Sequence, residues 1–494
     1  MEQAGIDGGV FDVVVIGAGM AGLSAAAFLG DAGRRVLVVD SLDRPGGLLA
    51  ELPLPGFHMS AGVHNLAGAF PDGPAGQGTL AAVTEHLQLN GFELLPLDTT
   101  YEIRYPEATY RIPVGREAWI EMFARQHPAQ ENALSDLLDV CERMARELAR
   151  LPISPDAASL ARLPVEAPLL LAYSTVNTLD VLRHRLDDQR LVRAVSSLCE
   201  PYLALPPARA PFAVWAMMTN SYLTGTYQCR GGFQRFADSF AAAVRDRGGT
   251  LSLGSTVTEI RTQDGQVSGV AGRDWQVSAP VVVAAMDARQ LLRMLAADVL
   301  PRSYRHRLES TEVSSPLLSV YLATDLPIDP EATAYEAFHV GTESLTLERG
   351  DFLGIHVPTL NDPSQAPPGQ HLVELICAVG HDAEDPFAQA AGMITRADAS
   401  LPGLADHLVP LDPHAPTPYA IRRFSAPYGW ACTPRRVGLG GRLRLGHATP
   451  IGHLYLAGQW TQPAHGIPQV VASGAEVARL ITNDRPHHPL LPLA

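Results

Sequence analysis

Phosphate is the first chemistry this sequence is equipped for. Residues 11 to 40, FDVVVIGAGMAGLSAAAFLGDAGRRVLVVD, place Gly17, Gly19 and Gly22 in Gly-x-Gly-x-x-Gly spacing between two apolar runs. Gly17 permits a tight turn, Gly19 lets the backbone approach a pyrophosphate, and Gly22 brings a helix against a strand. Ile16, Ala18, Met20 and Ala21 complete this turn, and the helix it opens aims its free N–H groups at the phosphates. Asp40 follows Gly22 by eighteen residues, with Ser41 beside it, and is placed to accept from ribose hydroxyls. The fingerprint suits NAD and FAD equally. Next comes SLDRPGGLLA, where Arg44 offers charge to a phosphate and Gly46 and Gly47 let backbone pass close to a ligand. A second such entrance lies near the end of the chain, in LYLAGQWTQPAHGIPQVVASG (454 to 474). It reads as a short strand, a loop through Pro463 and a helix opening at about Gly466. Pro468 sits in the first turn, where its missing N–H costs nothing. The other amides of that turn, with about half a positive charge, face whatever lies before them.

The elements that must position these residues are legible in outline. Strand, glycine turn, helix and strand predict an α/β, Rossmann-like unit over the first forty residues. YEIRYPEATYRIPVG (101 to 115) alternates like a hairpin, and residues 116 to 151 have helical periodicity throughout. Residues 152 to 227 are apolar, punctuated by Pro and mostly helical; they read as ordinary core or as a cap over an apolar tunnel. Residues 231 to 270 give a helix, a Gly-Gly stop and two strands about an Asp-Gly turn, and PVVVAAM (280 to 286) is a buried strand. Strand-rich segments from about 313 to 425 predict a sheet shared with the hairpin.

Bulk properties limit the choices further. A chain of 494 residues is expected to form two or three domains. Its net charge of −15 lacks the basic stripe that a nucleic-acid partner requires. All 37 basic residues are Arg, which rules out lysine Schiff-base chemistry. Five scattered cysteines without CxxC spacing predict a reducing compartment and no metal site. The first ten residues lack a basic n-region, so no signal peptide is expected, and the location read from these features is cytoplasmic. The stretch from 13 to 30 is apolar enough to suggest a membrane span, but its four glycines fit the nucleotide turn better.

Together the two glycine-bearing entrances resemble the flavin amine oxidase and carotenoid desaturase superfamily. The resemblance implies FAD, with Gly46 and Gly47 lying along the dinucleotide. It also implies that the backbone of Val257 meets the adenine, and that Gly458, Gln459, Gly466, Ile467 and Pro468 face the N1–C2=O edge of the flavin. Many members continue the paired glycines with Arg; Leu48 stands there, leaving Arg44 or the amides to meet the phosphates. Within the superfamily, GFHMSAGVHNLAG (56 to 68) resembles the segment passing the flavin in retinol saturases and carotenoid isomerases. Phe57, Gly62 and His64 match, with Val63 between, while Ser60 replaces an acid.

His64 is the candidate catalytic residue, with positioning of its loop through hydrogen bonds as the other reading. Tyr428, Trp430, Trp460 and His465 are candidates for the substrate pocket. Cys432 falls at a distance resembling that of a flavinylated cysteine, although noncovalent FAD is the main expectation. The resemblance implies a discontinuous FAD-binding domain (1–75, 228–295 and 440–494), a substrate domain with a mixed β-sheet (76–115 and 296–439) and a helical cap (116–227). The cap has room to touch a membrane surface. The function implied is oxidoreduction, or redox-neutral isomerisation, at carbon–carbon bonds of an extended hydrophobic polyene or prenyl compound. An amine oxidase or a flavin-stabilised binding protein are the alternatives, and the first lacks the superfamily's usual lysine. Oligomeric state is not legible.

Overall fold

The structure is a computed structural model and describes residues 10–68, 79–154, 157–340, 352–381, 385–425, 429 and 444–482. Val13–Ile16, all four residues buried, forms the centre of a parallel five-stranded sheet. Val36–Val39 and Thr250–Ser252 lie to one side, Val281–Ala284 and Leu454–Leu456 to the other. A near-continuous Val and Ile composition is what a parallel strand covered on both faces requires. The covering helix Met20–Asp31 is buried over its first ten residues and packs against Ile467–Thr482. Gly474 permits this approach, because a Cβ there would stand 2.2 Å from the carbonyl oxygen of Ala21. Three widely separated segments thus close one sheet, as the Rossmann-like reading expects.

The second large unit is an eight-stranded mixed sheet. The hairpin Thr99–Arg104 and Thr109–Pro113 forms one edge, and Thr99–Arg104 runs parallel to Glu336–Val340. Phe352–His356, His371–Ala378 and Leu317–Thr324 continue it antiparallel. Over it lie the cap helices, whose Leu137, Leu138, Met144, Leu182, Phe212 and Trp215 share one core with the sheet's Tyr101, Ile103, Phe338 and Phe352.

Three sequence readings change. The helix expected over 116–151 is two helices, Arg116–Gln126 and Glu131–Ala149, with a short 3₁₀ turn between them. Pro128 is the cause: the residue before a proline is steered away from helical ψ, and His127 stands at φ −134°, ψ 60°. Residues 79–97 do not join the eight-stranded sheet. Helix Thr79–His86 buries Leu80 and Val83 in the core of the nucleotide fold, and Leu94–Pro96 pairs with Thr226–Cys229. Leu300 and Leu308, assigned to the sheet domain by sequence, pack on the opposite face of the nucleotide sheet. Among the described residues no helix is long and apolar enough to cross a membrane.

Candidate active site

The glycine turn folds as its spacing requires. Gly17 has φ +107°, and a Cβ there would stand 2.6 Å from the carbonyl oxygen of Ala285. Gly46 bridges back to the turn, donating its N–H to the carbonyl of Ala18 at 2.8 Å. Two loops separated in sequence by a helix and a strand are therefore one platform. At Gly19 a Cβ would meet no atom within 4 Å. That open space faces a cavity of about 770 Å³.

The cavity gathers most of the residues singled out above. Gly19, Met20, Ala21, Gly46, Gly47 and Leu48 line one end; Gly62, Val63 and His64 line the middle. Gly458, Gln459, Trp460, His465, Gly466, Ile467 and Pro468 line the wall beside the last helix, Ile467–Thr482. The far end is apolar and belongs to the cap, with Leu160, Leu163, Leu170, Met217 and Met218. Other candidates stand off the cavity. Asp40 accepts from the backbone N–H of Ala18 at 2.6 Å and of Leu42 at 2.8 Å, which leaves each oxygen a further lone pair. Ser41 is exposed and Val257 is buried beside the sheet. Arg44 pairs with Asp43 and donates to the carbonyl of Glu51 at 3.3 Å. Tyr428, Trp430 and Cys432 lie outside the described residues.

His64 is held at the cavity wall by residues that the sequence reading passed over. Its Nδ1 is 2.6 Å from Oε1 of Glu336 and its Nε2 is 2.9 Å from Oε2 of Glu374. With a carboxylate at each nitrogen, the ring is an imidazolium. Burial pushes its pKa down, but the two carboxylates overcome this and raise it to about 10. Burial pushes both acids up, and the His64 charge overcomes it in turn, holding Glu336 below its ordinary range and Glu374 at about 2. Oε2 of Glu336 also accepts from the Tyr202 hydroxyl at 2.6 Å and from Asn65 at 3.1 Å. His356 stacks on His64, ring centroids 4.2 Å apart; burial and the adjacent imidazolium lower its pKa and keep it neutral. His64 therefore has no lone pair to act as a base. Of the ways in which His64 could be catalytic, action as a free imidazole base does not fit this arrangement.

Glu336 and Glu374 were detectable in principle. Each is a carboxylate inside a strand otherwise built to be buried, EAFHV and HLVELICA. A buried charge demands a partner, and that demand is the signal.

The pKa of His465, half-buried beside Gly466, is pushed down to about 4 by desolvation and by Arg444, so the ring is neutral. It therefore donates from Nε2 to the Tyr202 carbonyl at 3.2 Å. Trp460 is 3% exposed, with the Arg289 guanidinium 4.7 Å above its ring.

A glycine platform, a helix entrance and an apolar gallery on one cavity narrow the family. The flavin-containing amine oxidoreductases match residues 20–482 of this chain. The chain belongs to that family. It is a flavoprotein in kind, and the open cradle at Gly19 fits the backbone approach such a cofactor requires. Among its relatives, the phytoene dehydrogenase of Streptomyces griseus is 29% identical over 97% of both chains. A chloroplastic prolycopene isomerase of an Oncidium hybrid is 25% identical over 96% of this chain and 84% of its own. Among solved structures, an oxidoreductase from Methanosarcina mazei aligns with a TM-score of 0.64 at 20% identity, covering 94% of this chain and 99% of its own. That likeness concerns the fold.

Proposed function

We propose that this protein is an FAD-dependent oxidoreductase acting on carbon–carbon bonds of an extended hydrophobic substrate of polyene or prenyl type. One observation carries the reading: a single cavity joins the glycine platform to an apolar gallery under the cap. A flavin dinucleotide would occupy the platform, and a long hydrocarbon suits the gallery. The relatives named for phytoene and prolycopene support that substrate class. In this reading residues 1–75, 228–295 and 440–494 serve the cofactor, joined by helix Thr79–His86 and by Leu300 and Leu308, which pack in the nucleotide core, and the mixed sheet and cap serve the substrate. When bound, FAD supplies a two-electron acceptor or donor. The chain's own part is to hold the hydrocarbon against that end of the cavity and exclude water.

FAD is held without a covalent bond in this reading. Acid precipitation of the purified protein is expected to release all the yellow colour into the supernatant; colour retained in the pellet would refute noncovalent binding. The gallery is tested by Met218→Trp, which places an indole in its apolar end. Binding of long polyenes is expected to fall at least tenfold, on the order of 1.4 kcal/mol, with flavin content unchanged. Undiminished polyene binding in this variant would remove the gallery from the substrate site. The decisive assay is incubation of the flavin-loaded protein with acyclic polyenes, followed by absorption spectra and mass. A changed number or geometry of double bonds supports the reading, and turnover of amines alone overturns it.

Substrate of this kind partitions into lipid. The cap exposes Leu148, which lines the cavity, and Val165, 45% and 85% exposed. These support a peripheral membrane contact at the apolar mouth, from which substrate would enter.

A further inference from the structure

The cluster at the cavity wall has an unbalanced charge. Among the described residues, the polar contacts of its two carboxylates are with His64, His356, Tyr202 and Asn65. One imidazolium stands against two carboxylates, and His356 is neutral, so the cluster is an anion. Its burial is severe: Glu336 is 2% exposed and Glu374 fully buried. Among the described residues, neither oxygen of Glu374 and neither ring nitrogen of His356 has an aligned hydrogen bond. A buried net charge that the protein leaves uncompensated is costly, and such charges persist where something else is to be met.

An ion among His64, His356 and Glu374 would be one answer, since their ligand atoms lie within 4.8 Å of one another. The rings argue otherwise. His64 and His356 are stacked at an interplanar angle of 18°, so their in-plane lone pairs lie in separate, nearly parallel planes and do not converge on one point. Both His64 nitrogens also face carboxylates, the arrangement of a ring that holds two protons.

The rest of the surroundings point into the cavity. Glu336 and His64 line it; His356 and Glu374 stand behind them. Tyr202, Tyr222 and Phe338 line the same region, and Tyr202 lies 5.0 Å from Tyr222 and 5.8 Å from Phe338, ring centre to ring centre. Aromatic faces attract cations as carboxylates do. Tyr202 also fixes the location. Its hydroxyl holds Glu336, and its carbonyl holds His465, the residue before Gly466. The anionic wall therefore stands beside the entrance of the last helix, where the apolar gallery meets the cofactor end.

From this juxtaposition we propose that Glu336, backed by His64 and Glu374 and flanked by Tyr202, Tyr222 and Phe338, forms a cation site that stabilises positive charge on the carbon skeleton of a bound substrate. The proposal rests on the polyene reading above and names what its site selects. The chemistry needs such a site in either direction of use. Were a hydride to leave with its electron pair, for which a bound oxidised flavin would be the acceptor, the donor carbon would be left positive. Loss of a proton to water from the neighbouring carbon then returns that C–H pair as the new double bond. Addition of a proton from water to a double bond gives the same kind of cation, and its loss after rotation gives an isomer. An anion fixed in the wall before the charge forms would stabilise it with little reorganisation.

The test uses flavin-loaded protein in detergent micelles and two probes of equal length. One is a prenyl-type hydrocarbon, and the other carries a quaternary ammonium in place of one chain carbon, scanned along the chain. At one ammonium position wild type is expected to bind the cation about tenfold or more tightly than the hydrocarbon, about 1.4 kcal/mol. Glu336→Gln should abolish that preference and leave hydrocarbon binding within about twofold. Wild type alone decides the question even if the variant does not fold. Hydrocarbon binding without cation preference at any position overturns the cation site and leaves the polyene reading standing. Failure of wild type to bind the hydrocarbon overturns both. One divalent metal ion per chain in the purified protein, lost on mutation of His356, would neutralise the cluster and overturn the proposal also.

Discussion

Gly19→Val is expected to yield a folded, colourless protein whose affinity for FAD falls at least about 100-fold, or about 2.7 kcal/mol. The folding half follows from local geometry. Gly19 caps helix Met20–Asp31 at φ −72°, ψ 173°, an extended conformation that β-branched residues adopt readily. A Cβ at this position meets nothing within 4 Å, so the apo protein has no steric reason to unfold. The binding half follows from the same space. Two methyl groups would stand where the backbone must let the pyrophosphate approach. Gly22→Val is the control, because its Cβ would lie 1.9 Å from the carbonyl oxygen of Gly17 and must disrupt the turn itself. Thermal unfolding of both apo variants and titration with FAD separate these effects. A Gly19→Val protein that takes up FAD at wild-type affinity would displace the pyrophosphate from this turn.

The contrast between these two glycines shows which parts of the molecule the sequence discloses. Where a ligand or a neighbouring backbone constrains a short stretch, residue type and spacing are nearly sufficient, as from Gly17 to Gly22. The helix beginning at Ile467 was legible for the same reason, since its entrance is announced by Gly466 and Pro468. Even there the direction of a side chain was hidden: Ile467 lines the cavity yet is 8% exposed and packs in the nucleotide core. The anionic wall lay beyond local reading. His64 meets Glu336 across 272 residues of sequence, and the meeting depends on how the mixed sheet is ordered. Strand periodicity places Glu336 and Glu374 in strands without saying that Glu336–Val340 is separated from His371–Ala378 by Phe352–His356 alone. That order brings His356 and both acids around one loop.

Removing the charge at the centre of the wall should have the largest effect on stability. In His64→Gln, Glu336 and Glu374 lose their shared cation while remaining buried, and the expected loss is on the order of 3–5 kcal/mol. Its pH dependence separates this from a packing defect. The folded pKa of His64 is raised from 6.5 to about 10, so the unfolded chain releases this proton first as pH rises. The stability contributed by His64 is therefore complete below about pH 6.5 and is lost as pH climbs toward 10, by up to about 1.4 kcal/mol per unit. Glu374 has the opposite sign. Its folded pKa is lowered from 4.5 to about 2, so its contribution is complete above 4.5 and is lost as pH falls toward 2. Wild type should thus be most stable between about pH 4.5 and 6.5 with respect to this cluster. His64→Gln has no proton to hold on the alkaline side, and its stability should change less than that of wild type between pH 6.5 and 10. In the variant the two carboxylates share a buried site without a cation, so protonating one relieves repulsion and mild acid should narrow the gap to wild type. Denaturant unfolding across pH 4 to 10 decides the matter. A constant difference between the two proteins at every pH would mean that His64 contributes volume and hydrogen bonds alone, and that the wall is held together by something other than its charge.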